Sequence, residues 1–253
     1  MSQLQHERFF SLRDQAIDEP EQRSDAWFKM RVGKLSSSKF SRFLFIKNLD
    51  EVRQFYGEVW EGFPREEFTE EQQEWVNWGV LHEDTAMKNL LDNLPNMVAY
   101  EAQMLVHSGL PYLSASADGF YQLLDECGNV TEDGIVEIKC GGKTKKAYPK
   151  TKFYYVPQCY LHMACSGKRT ALFVSWGKDY TRAWRLHWNE SFWKILCDTI
   201  YAFRRVKEDL TWEEFEVHQF YLRRACNEEV DNAEPLHGGK GWASGYKDSQ
   251  SSP

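Results

Sequence analysis

No run of apolar residues in this chain approaches the roughly 20 that a helix needs to cross a bilayer, so the sequence offers no candidate membrane-spanning helix. The opening residues Met1-Ser2-Gln3-Leu4-Gln5-His6-Glu7 lack the basic and apolar regions of a secretory signal, and an intracellular protein, in cytoplasm or nucleus, is the expectation. Cysteine is scarce. Cys127, Cys140, Cys159, Cys165, Cys197 and Cys226 include no Cys-x-x-Cys pair, which argues against a zinc ribbon and, in a chain this long, against a disulfide framework. No internal repeat is visible. Positive charge is in deficit, with 31 Lys and Arg against 38 Asp and Glu for a net of −7, and taken whole this disfavours a polyanionic partner.

What is present reverses that impression. The 253 residues, 42% hydrophobic and 15% aromatic, suffice for one large domain with a packed core. The acid is concentrated: residues 58–84 carry nine acids and one base, Arg65. Residues 139–152 hold six lysines and no acid: Lys139, Lys143, Lys145, Lys146, Lys150 and Lys152. A basic loop of this kind is either a solvated loop or a contact for phosphate.

Local signals give an order of elements. Residues 3–17 read as helix. Ser24-Asp25 reads as an N-cap for a short helix over 26–31 that ends at Gly33. Ser36-Ser37-Ser38 precedes a second helix with Phe40, Phe43 and Leu44 at helical spacing. Thr69 with Gln72 predicts a capping box at the head of one long acidic helix, over about 66–93, closed by Pro95. The period then shortens. Strands are predicted over 98–107, 113–117, 119–124 and 134–139, with turns at Ser108-Gly109, Asp118-Gly119 and 126–129. Residues 153–166 read as helix ending near Gly167, 171–176 and 181–188 as strands about Lys178-Asp179, and 189–207 as a long helix. From 237 onward Gly, Ser and Lys dominate, and a disordered tail over 237–253 is expected behind a single domain over 1–236. Helices, a run of strands, a helix, two strands and a helix predict an α/β core with a mixed central sheet.

One constellation carries chemistry. Asp118 lies in Ser116-Ala117-Asp118-Gly119, and Gly134-Ile135-Val136-Glu137-Ile138-Lys139 follows. Side chains on a strand alternate, so Glu137 and Lys139 leave one face while Val136 and Ile138 enter a core from the other. An Asp and a Glu on neighbouring strands can hold a hard divalent cation, and a lysine beside them can orient a water: the equipment of a metal-dependent phosphodiesterase. Upstream, Glu83 on the acidic helix is a further acid, and Arg31 a planar fork suited to phosphate. Downstream, Gln158 could bond a metal-bound water or the backbone. Each piece alone has a plainer reading: Asp-Gly as a turn, Glu-x-Lys as an exposed cross-strand ladder, Glu83 as a solvated helix face, Arg31 as a surface ion pair, Gln158 as an ordinary helix polar residue. The signal lies in their combination and order.

That combination resembles the YqaJ-type viral recombinase, or phage lambda exonuclease, family of the PD-(D/E)xK nuclease superfamily, across residues 22–206. The motifs that carry the resemblance are Trp27, Arg31, Gly33 and Ser38; Trp78, Gly79 and Glu83; Ser116, Asp118 and Gly119; Glu137 and Lys139; and Tyr155 and Gln158. Where the family usually has proline before the Asp, this chain has Ala117. The region of a second phosphate-binding arginine reads Phe45-Ile46-Lys47-Asn48, with Lys47, Lys34 or Arg42 as candidate substitutes. The cysteine spacing gives no support for the iron–sulfur cluster of some relatives.

The resemblance implies a restriction-endonuclease-like core and a metal-dependent exonuclease acting on linear double-stranded DNA, 5′-to-3′, in recombination, repair or viral DNA processing. It implies two Mg²⁺ or Mn²⁺ ions held by Asp118, Glu137, the Ile138 carbonyl and Glu83, with Lys139 and Gln158 acting on the water. It further implies that Arg31, Ser38 and Ser116 receive a phosphate, that Lys143, Lys145 and Lys146 track the strand, and that a single-strand annealing protein and a trimeric assembly are candidate partners. An endonuclease, a dual DNA/RNA nuclease or a catalytically inactive DNA-binding module remain the alternatives.

Overall fold

The computed structural model describes residues 24, 26, 29, 31–64, 67–102, 104–238 and 240–246. The predicted helix over 3–17, Trp27 and most of the short helix around it, and residues 247–253 lie outside the described residues.

Two sheets organise the chain. The larger one has strand order β10-β8-β7-β6-β5-β2 with β9 also on β8, where β2 is Met97–Tyr100, β5 Gly119–Leu124, β6 Val130–Cys140, β7 Thr170–Trp176, β8 Tyr180–His187, β9 Glu234–Pro235 and β10 Trp242–Ala243. Among the described residues, only β6 and β7 in it run parallel; every other pair is antiparallel. A parallel neighbour needs a crossover, and helix α3, Val156–Ser166, supplies it. The smaller sheet, β1-β4-β3, joins Leu35–Ser36, Leu113–Ala115 and Leu105–Val106. The mixed central sheet flanked by helices is therefore as expected.

Helices cover both faces of the larger sheet. On one, α2 (Glu70–Asn93) packs Ala86, Met87, Leu90 and Leu91 against Val136, Ile138, Leu172 and Val174. On the other, α3, α4 (Glu190–Arg204), α5 (Trp212–Asn232) and a 3-10 segment over Ser37–Leu44 enclose Ile135, Phe173 and Leu186. With both faces covered, β6 is buried continuously from Ile135 to Ile138 rather than alternating.

The capping box forms as predicted. The Gln72 N–H donates to Thr69 Oγ1 at 3.2 Å, the Thr69 N–H to Gln72 Oε1 at 2.9 Å, and the helix runs from Glu70 to Asn93. The segment after the serine run is a 3-10 helix, with Phe40, Phe43 and Leu44 fully buried.

Several expectations change. The single strand over 98–107 is two, β2 and β3, in different sheets. Helix α1, Leu49–Trp60, and helix α5 have no counterpart among the predicted elements. The expected disordered tail is, in its first part, paired structure: Trp242 and Ala243 align with Thr181 and Tyr180 of β8, and Tyr246 lies 5.9 Å from the Trp176 ring. Sheet edge and aromatic contacts compensate for a composition poor in apolar residues. Among the described residues, no helix is long and apolar enough to cross a membrane.

Candidate active site

Asp118 sits where the chain leaves the small sheet at β4 and enters the large one at β5. Its N–H donates to the Val136 carbonyl at 3.1 Å, and its Oδ2 accepts the Ile138 N–H at 2.5 Å. Two bonds to β6 thus set the carboxylate beside Glu137 and Lys139. The following glycine is closely packed: a Cβ on Gly119 would meet Met87 Cε at 2.9 Å and the Tyr100 carbonyl at 3.1 Å. The Asp-Gly pair is a junction between sheets, not a simple turn.

Glu137 is 1% exposed. Its Oε1 accepts from Gln158 Nε2 at 2.7 Å and from the Lys139 ammonium. Its Oε2 lies 3.1 Å from His162 Nδ1. The Lys139 ammonium also lies 5.1 Å from the Tyr155 ring centroid, within cation–π range. Gln158 and His162 are one turn apart on α3 and face β6, so that helix addresses both oxygens of Glu137.

Charge crowding is severe. Burial pushes the Asp118 acid well above the usual carboxylate range; the charges of Glu137 and Glu83 push it further, against the opposing pull of Lys139 and the Ile138 N–H. Burial also raises Glu137, but Lys139 and His162 together outweigh it and hold that carboxyl below its usual value. For Lys139, burial lowers the ammonium but Glu137, Asp118 and Tyr155 more than reverse this, so the net shift is upward. A lysine so placed is a cation that binds and orients, not a proton acceptor.

Do these residues suit a metal ion? The donors from Asp118, Glu137, Glu83 and the Ile138 carbonyl are all oxygen, the set that hard Mg²⁺ or Mn²⁺ takes. The upward shift of Asp118, caused partly by the other two acids, is negative charge that a divalent cation would relieve. Among the described residues, no group of three or more His, Cys, Asp or Glu side chains stands close enough to form a ready-made cage. The carboxylates are instead held by protein donors: the Ile138 N–H on Asp118, and Lys139 and Gln158 on Glu137. The residues fit the ion chemically, and the protein donors now on the two carboxylates stand where an ion would bind.

The upstream motif forms a hydrogen-bonded cluster. Arg31 Nη2 donates to Ser36 Oγ at 2.7 Å and to Ser38 Oγ at 2.9 Å. Between them, Ser37 Oγ lies 2.7 Å from His162 Nε2. Ser116 is half-buried, two residues before Asp118. Sequence reasoning does not single out Ser36, Ser37 and His162 as site residues; the available signal is the Gln-x-x-x-His spacing, which puts Gln158 and His162 on one helix face. Of the candidates to take the place of the second arginine, Arg42 is engaged by Glu58 and lies 4.8 Å over the Phe55 ring.

The basic loop is pinned. A Cβ on Gly142 would meet Trp75 Cβ at 2.7 Å, so the loop backbone lies directly against α2. Lys143 lies 5.4 Å over the Trp75 ring and Lys145 4.5 Å over Trp78. The Lys178 N–H donates to the Lys145 carbonyl at 2.7 Å, and the Ala147 N–H to Asp179 Oδ1 at 2.9 Å. Lys146 is exposed.

A mixed sheet with an Asp and a Glu-x-Lys triplet on adjacent chain segments at its centre defines a class, the PD-(D/E)xK-like fold. Within that class the chain belongs to the YqaJ-like viral recombinase domain family, whose model matches residues 26–169. Among solved structures it is similar to an alkaline exonuclease, LHK-Exo, from Laribacter hongkongensis, at 19% identity and a TM-score of 0.53, covering 81% of this chain and 99% of that one. The same enzyme in complex with dAMP matches at 20% identity, again with a TM-score of 0.53 and the same coverage, 81% and 99%. No curated protein sequence matches the chain significantly.

Proposed function

We propose that this protein is a divalent-metal-dependent exonuclease that hydrolyses phosphodiester bonds from the ends of linear duplex DNA, 5′-to-3′. The observation that carries the reading is the convergence of Asp118, Glu137, Lys139 and Gln158 at one end of β6, in a chain of this family. Asp118, Glu137 and the Ile138 carbonyl would hold Mg²⁺ or Mn²⁺, and Glu83 would extend the set to a second ion. Bound there, the metal supplies Lewis acidity and charge neutralisation at the phosphate. Lys139, kept protonated by its two carboxylate neighbours, neutralises charge on the scissile phosphate and fixes the attacking water. Gln158 restrains Glu137 and that water. Arg31 with Ser36, Ser38 and Ser116 receives the terminal phosphate, and Lys143, Lys145 and Lys146 follow the backbone beyond it. A homo-oligomer, with three copies about the DNA, and a single-strand annealing protein as partner complete the reading.

A time course on end-labelled linear duplex with Mg²⁺ reports activity and polarity together. Nicked circular DNA and single-stranded RNA serve as comparison substrates. Loss of label from 5′ ends, abolished by EDTA and by Lys139→Ala with DNA binding retained, is expected. Normal turnover by Lys139→Ala would sink the assignment, and equal cleavage of circles or RNA would redirect it to an endonuclease or a dual nuclease.

A further inference from the structure

His162 is as buried as any side chain in the molecule, with a side-chain exposure of 0%. It lies between two groups of different function. Nδ1 is 3.1 Å from Glu137 Oε2 on one side, and Nε2 is 2.7 Å from Ser37 Oγ on the other. Ser37 stands between Ser36 and Ser38, the two hydroxyls that hold Arg31. The buried ring therefore stands between the central carboxylate and the serine run that holds Arg31.

One neutral tautomer satisfies the whole path. With the proton on Nδ1, the ring donates to Glu137 Oε2, and Nε2 accepts the Ser37 hydroxyl hydrogen. The Glu137 end is not yet closed: Oε2 and Nδ1 approach to 3.1 Å, yet their angle leaves both without a formed hydrogen bond. Two buried polar atoms left in that state carry a desolvation cost that a formed hydrogen bond would offset. The other oxygen, Oε1, is already held by Gln158 one turn earlier on α3. A purely packing role would be met by an apolar side chain at no desolvation cost. A path of three polar groups through the core is the more demanding arrangement, and it connects two sites.

We propose that His162 is a positioning residue: with Gln158 it fixes both oxygens of Glu137, and through Ser37 it sets that carboxylate and the Arg31–Ser36–Ser38 pocket in register. Phosphate seated on Arg31 and the serines then restrains Ser37, the ring and Glu137 in turn, so that occupancy of the end pocket and metal affinity reinforce each other. The proposal rests on the reading of Glu137 as a metal ligand.

The test uses the full chain and Mn²⁺ alone, with free Mn²⁺ followed by electron paramagnetic resonance, then repeated with deoxyadenosine 5′-monophosphate. Melting temperature controls for folding. The variants are His162→Leu, His162→Asn and Ser37→Ala. An Asn amide nitrogen takes the place of Nδ1 and keeps a donor for Glu137; Leu, of similar size, offers none. Mn²⁺ affinity should fall about 10–100-fold in His162→Leu, stay within about threefold of wild type in His162→Asn, and lose most of its nucleotide-dependent gain in Ser37→Ala. Wild-type-like Mn²⁺ binding by His162→Leu, or equal losses in the Leu and Asn variants, overturns the role of His162. Should the Leu variant melt early, Ser37→Ala decides: an undiminished nucleotide gain overturns the link. Failure of the wild-type chain to bind Mn²⁺ is a separate outcome, and removes the metal reading together with this one.

Discussion

Asp118 is the residue whose environment departs furthest from what its chemistry prefers. Burial, then Glu137 and Glu83, raise its acid above the ordinary range, while Lys139 and one backbone N–H resist. The sign of the consequence follows from linkage. A folded-state pKa raised above the unfolded one favours folding at low pH and opposes it as pH climbs through the folded value. In chelator, Asp118→Asn should therefore melt higher than wild type by at least about 2 °C near neutral pH, the response of a domain this size to roughly 1 kcal/mol. The gap should close toward acid pH. The same variant should be inactive, because Asn keeps the bond from the Ile138 N–H but not the charge. A gap that ignores pH would show that the acid is not strained. Lys139 illustrates a role that sequence leaves open. A lysine beside two acids serves as a base only if its pKa falls, and here the neighbouring carboxylates raise it.

At the scale of elements, legibility tracks the source of each element's stability. Helix α2 is legible because a capping box lies in four consecutive residues. The shared face of Glu137 and Lys139 follows from strand alternation. Helix α5 is hidden because its inward face is not an apolar stripe: Gln219 and Glu229 are buried on it beside Phe215 and Leu222. Those polar residues have partners far away in sequence. Gln219 Nε2 donates to the Phe43 and Ile46 carbonyls at 2.7 and 2.8 Å, at the end of the 3-10 segment. Replacing Gln219 by Met would leave those acceptors buried and unpaired, at a cost of roughly 2 kcal/mol, or about 4–8 °C in melting temperature. An unchanged melt would mean that water reaches both carbonyls. Helix α1 carries a plain local signal that the predicted element order omits: the Asn48 side chain accepts from the Glu51 N–H, and Val52, Phe55 and Val59 fall at helical spacing.

For the molecule as a whole, the net charge of −7 misdescribes the surface that the proposed function needs. Part of the acid is neutralised internally, by Arg42 on Glu58 and by Lys207 on Glu61. Glu70 and Glu71 occupy the first turn of α2, where the helix dipole favours negative charge. Lys143 and Lys145 are laid on the tryptophan face of that same helix, over Trp75 and Trp78. A pinned loop presents its ammonium groups with less entropy to lose than a free one. The double variant Lys143→Gln/Lys145→Gln should weaken DNA binding at low salt and reduce the slope of log K against log salt by about 2, near 0.9 for each duplex phosphate that the variant no longer neutralises. An unchanged slope would place the DNA elsewhere.

The sequence by itself determined what depends on near neighbours: the cap of α2, the alternation on β6, the order of motifs that marks the family, and the acids and lysine at its centre. Spacing along the chain dictates these, because a helix turn or a strand pleat brings together residues only a few positions apart. Tertiary structure decided the rest. It divided one predicted strand between two sheets, paired the glycine-rich C-terminal stretch with β8, fastened the basic loop to α2, and set His162 between Glu137 and Ser37. Ser37 and His162 are 125 positions apart. No periodicity spans that distance, and only packing α3 between β6 and the serine run brings the two together.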